Sequence, residues 1–171
     1  MSNTIQQQRF SRPPASGAPS PAAIPAAAIE HTIRHTTLRA LGFVGMLGIA
    51  LIHLLDVISK IHETPYLGVM YVGLMIAAVA VAFFLLHIGS GLGWAAAGLL
   101  AALTLVGFVL SRTTGLPSSS GDVGNWSEGL GMASMFVEGA VILLSLYALA
   151  HARREQRPGV HASLAWDAPG P

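Results

Sequence analysis

Residues 64–111 read TPYLGVMYVGLMIAAVAVAFFLLHIGSGLGWAAAGLLAALTLVGFVLS, 48 positions without a single Asp, Glu, Lys or Arg. As one helix this stretch would run about 72 Å at 1.5 Å per residue, more than twice the roughly 30 Å of a bilayer's hydrocarbon core. It must therefore fold back, and the strong breaker inside it is GSGLG at Gly89–Gly93. The spacing predicts two membrane spans, residues 67–87 and 92–110, joined by a tight turn.

Two further spans flank this hairpin. Residues 38–58, LRALGFVGMLGIALIHLLDVI, are long enough to cross a bilayer, and residues 129–150 form a last apolar stretch interrupted by one charge, Glu138. The expected fold class is all-α, an antiparallel four-helix transmembrane bundle over residues 36–151. Residues 1–35 are rich in Pro, Ala, Ser and Gln, contain no apolar run suited to a signal peptide, and read as a disordered tail. Residues 152–171 read as a short flexible tail. Hydrophobic residues make up 53% of the chain and charged ones 10%, where a soluble domain carries about 25% charged.

Charge placement sets the expected topology. Arg9, Arg12, Arg34, Arg39, Arg153, Arg154 and Arg157 flank the bundle on the terminal side, whereas the 1–2 and 3–4 loops carry only Lys60 and Arg112. By the positive-inside rule both termini are expected in the cytoplasm, in a multi-pass protein of a cell inner membrane. A net charge of +1 gives no footprint for a nucleic-acid partner. The absence of Cys removes disulfides, thiolate metal sites and Cys nucleophiles together. Small residues recur at helix-packing intervals: Gly42, Gly45 and Gly48 in the first span, Gly73 and Ala77 in the second, Gly98 and Ala102 in the third. Such spacing lets backbones approach where hydrophobicity cannot drive association.

Few ionisable residues remain to carry chemistry. His53 and Asp56 share a helix face at three-residue spacing, and His62 and Glu63 follow in the 1–2 loop. Imidazoles and carboxylates in this order suit a transition metal, yet the same order suits a helix end re-entering water. Glu138 lies about 14 Å down the fourth span, where an ionised carboxylate is costly. It is expected to face the bundle, either as a functional group or as a protonated fastener between helices. Ser134, one turn away, offers it a polar partner.

The 3–4 loop, SRTTGLPSSSGDVGNWSE at residues 111–128, is long for so small a bundle. Asn125 and Glu128 have the spacing of a capping box, and Trp126 suits an interface anchor. Asp122, Asn125 and Glu128 also offer oxygen ligands at three-residue steps for a hard cation. The outer end gathers Asp56, Glu63, Asp122 and Glu128 against Lys60 and Arg112. Such a cluster calls for a cation, a proton or Arg pairing, and the planar fork of Arg112 is the expected clamp. The candidate polar or ion site is thus His53, Asp56, Glu138, Arg112, Asp122 and Glu128; the candidate metal set is His53, Asp56, His62 and Glu63. No Ser-His-Asp spacing or HExxH occurs, so no catalytic residue is assigned and no cofactor is identified. His53 and His87 sit at opposite depths, which argues against a bis-His haem.

The stretch from Ser111 to Glu128, with Arg112, Thr113, Gly115, Leu116, Pro117, Asp122, Gly124, Asn125 and Trp126 in place, resembles a group of small actinobacterial membrane proteins. That group carries a similar LSRT-x-GLP…D-x-GNW-x-E run before its last span. The resemblance covers roughly residues 40–145 and implies four spans and a bacterial source, without implying an activity. Three functions fit the sequence. The first is a non-catalytic accessory or structural subunit, held in the lipid bilayer and contacting partner membrane subunits. The second is a small metal- or proton-handling protein using the outer-half His and carboxylates. The third is a subunit of a membrane oxidoreductase.

Overall fold

The computed structural model describes residues 25–155, and the outer parts of both expected tails lie outside the described residues. Four helices follow in order: α1 Ala26–Glu63, α2 Pro65–His87, α3 Gly91–Thr113 and α4 Gly129–Glu155. Each is long and apolar enough to cross a membrane, and the chain is a multi-pass membrane protein built as an all-α bundle. Every span is longer than its apolar core. The largest difference is α1, which begins at Ala26, inside the stretch whose composition reads as a tail. Successive alanines from residue 26 are strong helix formers, so the helix continues well beyond the length a bilayer requires.

The connections explain the hairpins. Between α1 and α2 stands Thr64 alone, whose N–H donates to the Lys60 carbonyl at 2.8 Å. Pro65 opens α2 at its first position, where the missing N–H costs nothing. At the opposite end, α2 stops at His87 and α3 starts at Gly91. Gly89 adopts φ +57°, and the Ser90 hydroxyl accepts from the Gly93 N–H at 3.4 Å. Arg39 closes this turn from α1. Its Nε donates to the Leu85 carbonyl at 3.0 Å and its Nη2 to that of Leu86, placing a cation on carbonyls at the C-terminal end of α2. The break expected at Gly89–Gly93 is therefore real, and it falls on Ile88–Ser90.

The close packing lies toward this turn end. Met46, Ile49, Ala78, Ala82, Leu85, Trp94, Ala97, Ala101 and Val141 form one buried cluster. Glycines admit the neighbours: a Cβ at Gly45 would stand 2.6 Å from Val141, and one at Gly98 would stand 2.9 Å from Ser145. Gly73 departs from the packing expectation, with nothing within 4 Å of its Cβ position. Outward faces carry large apolar side chains such as Val44, Ile58, Val69, Leu99 and Phe136. In a bilayer these face acyl chains. The opposite half of the bundle, which bears the Thr64 corner and the long connection from α3 to α4 and is called here the loop end, is packed differently and holds the site.

Candidate functional site

Arg112, in the last turn of α3, organises the loop end. The segment after it reverses tightly: the Leu116 and Ser119 backbones exchange hydrogen bonds, and Tyr66 Oη donates to the Pro117 carbonyl at 2.6 Å. Gly124, at φ +81°, then turns the chain back so that its N–H donates to the Arg112 carbonyl at 2.9 Å. This return brings Asp122 and Glu128 onto one guanidinium. Arg112 Nη1 lies 3.0 Å from Asp122 Oδ1, and Nη2 bonds Glu128 Oε2. The same guanidinium stands 5.0 Å over the Phe108 ring, whose edge meets Trp126 at 6.1 Å between centroids. Lys60 completes the cluster, 3.0 Å from Asp122 Oδ2 and 3.2 Å from Glu63 Oε2.

Asp122 thus bridges two buried cations. Partial burial alone would raise its carboxyl, but hydrogen bonds and charge from Lys60 and Arg112 outweigh that and hold it below the usual carboxylate range. A depressed native pKa contributes stability above the ordinary carboxylate pKa, and that contribution is lost as pH falls through the native value. Exchange protection of the Gly124 amide, corrected for intrinsic rate, is accordingly expected to fall on acidification below about pH 4. In Asp122→Asn this fall should be much flatter. Equal acid dependence in the two proteins would show that the loop is held by something else.

Beneath the ion cluster lies a cavity of about 250 Å³, walled by Ile52, Leu67, Leu74, Leu100 and Leu130 and reached by His53, Asp56, Tyr71, Ser134 and Glu138. Glu138 is fully buried. Its Oε1 accepts from the Ser134 hydroxyl at 2.5 Å, and Oε2 has no hydrogen-bond partner among the described residues. His53 is held from its own helix: Nδ1 stands 2.9 Å from the Ile49 carbonyl. A carbonyl can only accept, so Nδ1 carries a proton, and in the neutral ring Nε2 is left as an acceptor. The ring packs edge-on against Tyr71 with 4.8 Å between centroids.

No known protein family, curated protein or solved structure matches the chain.

The structure brings His53, Asp56, Arg112, Asp122, Glu128 and Glu138 around one cavity. The metal set does not assemble in the same way. His62 is exposed with Nδ1 on the Ile58 carbonyl, and Glu63 is taken by Ser59 and Lys60. No group of three His, Asp or Glu in metal-binding arrangement occurs among the described residues. The capping box is corrected as well. Helix α4 starts at Gly129, and the Met132 N–H donates to the Glu128 carbonyl at 2.9 Å, so Glu128 occupies the cap position rather than Asn125. Its carboxylate goes to Arg112, because a fixed guanidinium outcompetes a backbone amide for it. The cation that the loop oxygens of Asp122 and Glu128 surround is thus Arg112 itself.

Two residues of the site are not singled out by sequence reasoning. Lys60 enters there as a topology charge and as a counter-charge to the outer carboxylates, without an assigned partner, and Tyr71 carries no reading at all. The Lys60–Glu63 spacing is a visible signal. The bridge from Lys60 to Asp122 is not, since 62 positions separate them.

Proposed function

We propose that this chain is a small multi-pass membrane protein that takes up a proton or a cation at Glu138 within the loop-end cavity. One observation carries this: a fully buried carboxyl group whose Oε2 has no partner among the described residues and which lines an open space. Burying such a group costs several kcal/mol unless it is paired or protonated, and a carboxyl serving only as a helix fastener would engage both oxygens. Ionisable groups inside a bundle mark ion or proton sites for this reason. Seven flanking arginines against Lys60 and Arg112 orient the loop end outward in this proposal, in a bacterial inner membrane as the loop resemblance implies. The accessory-subunit reading draws on outward apolar faces, which serve lipid and a neighbouring subunit equally well and so do not discriminate.

Labelling with dicyclohexylcarbodiimide tests the site directly, because this lipophilic reagent modifies protonated carboxyls in apolar surroundings. In membranes the expected adduct, located by mass spectrometry, is on Glu138. Glu138→Gln should abolish it. A Glu138 that stays unreactive at every pH, in protein that melts normally, overturns the proposal.

A further inference from the structure

We propose that the ligand of this cavity is a lipophilic ammonium, an alkylamine with an apolar body, which reaches Glu138 sideways from the hydrocarbon between α2 and α3. The inference rests on the site proposed above and narrows it to one chemical class and one route.

The polar atoms inside the cavity set the class. Glu138 Oε2 is an unpartnered acceptor when ionised, and His53 leaves Nε2 as a second acceptor. A ligand that satisfies both must bring donors, which an ammonium does and a carbonyl compound does not. Charge points the same way. Asp56, Asp122, Glu128 and Glu138 line the cavity against Lys60 and Arg112, and both of these cations are already engaged by the loop carboxylates. A further positive charge is therefore favoured near Glu138. The walls demand an apolar body, being largely Leu, Ile and Met side chains. At about 250 Å³ the space falls just below the roughly 300 Å³ of ordinary small-molecule sites, so it takes a compact head and a short chain.

The route follows from where the helices part. At the turn end α2 and α3 are tight: a Cβ at Gly93 would lie 3.1 Å from Phe84. At the loop end Gly107 of α3 lines the cavity and has nothing within 4 Å of its Cβ position. Met70 of α2 and Leu103 of α3 also line it, yet they are 62% and 61% exposed on faces turned to lipid. From the water side the approach is obstructed by Lys60 and Arg112, each less than a tenth exposed and locked by ion pairs. The open side is the lipid side.

The test uses the full chain in lipid nanodiscs with radiolabelled octylamine as the probe. Saturable binding is expected, and the bound amine should protect Glu138 from the carbodiimide. Octan-1-ol, with the same tail and no charge, should not compete; neither should methylammonium, with the charge and no tail. Glu138→Gln should weaken binding about tenfold or more, and Gly107→Leu, whose Cβ meets nothing within 4 Å at a position lining the cavity, should do the same by taking up space there, in protein whose melting is checked in parallel. Competition by methylammonium would mean that the cation comes from water, and competition by octan-1-ol that Glu138 is not read as a charge; either overturns the inference. Absence of octylamine binding while Glu138 still reacts with carbodiimide overturns the amine and leaves the site. Loss of both removes the site itself. Should Glu138→Gln fail to fold, Gly107→Leu decides alone: full binding in that variant overturns the inference.

Discussion

Arg112→Ala is expected to lower the stability of the bundle by about 2–4 kcal/mol, the largest loss from any single side chain at the loop end. Arg112 is 5% exposed, and its guanidinium holds Asp122 and Glu128 together. Removing it leaves two carboxylates side by side with Lys60 alone to offset them, and it uncovers one face of Phe108. The partner carboxylates are about a quarter to a third exposed, which keeps the loss toward the lower part of the range for broken buried pairs. Arg112→Lys keeps the charge but cannot span both carboxylates, so it should recover about half. Unfolding in detergent, followed by circular dichroism, measures both variants. A loss within about 0.5 kcal/mol for Arg112→Ala would place the cluster among solvent-screened surface pairs, contrary to its burial.

Gly68→Ala is expected to cost about 3 kcal/mol or more, and to disturb the cavity as well as the fold. The added methyl would run into Ile61 Cγ1 and lie 2.8 Å from Ile61 Cα. A side-chain clash can relax by rotation, whereas a clash with the Ile61 backbone can relax only if α1 and α2 move apart. That movement is resisted by the corner between them, where the Leu67 and Gly68 N–H groups both donate to the Thr64 carbonyl. Opening the corner would also draw Lys60 away from Asp122. Truncating the neighbour in Gly68→Ala/Ile61→Ala should therefore restore only part of the loss. Full restoration would show that the side chain alone sets the spacing of the two helices.

Both Arg112 and Gly68 act through neighbours that chain order does not reveal, whereas the spans around them follow from composition. The four spans were legible because hydrocarbon imposes a length: 48 uncharged residues cannot cross once, and each backbone amide in lipid must bond within its own helix. The inward placement of Glu138 and its Ser134 partner were legible too, since an acid in a bilayer has few tolerable directions and i, i+4 spacing supplies the hydroxyl. The clamp role of Arg112 was visible as a charge balance. Which oxygens it would hold was not, because the loop's path depends on Gly124 turning back to the Arg112 carbonyl, and a backbone reversal leaves no periodic signal. For the same reason Asn125 looked like a cap while Glu128 became one. The metal set failed to assemble because α1 continues helical through His62, which turns that ring outward onto its own Ile58 carbonyl. The cavity belongs wholly to tertiary structure. Its lining comes from all four helices and the α3–α4 connection, and no periodic signal in the chain marks that convergence.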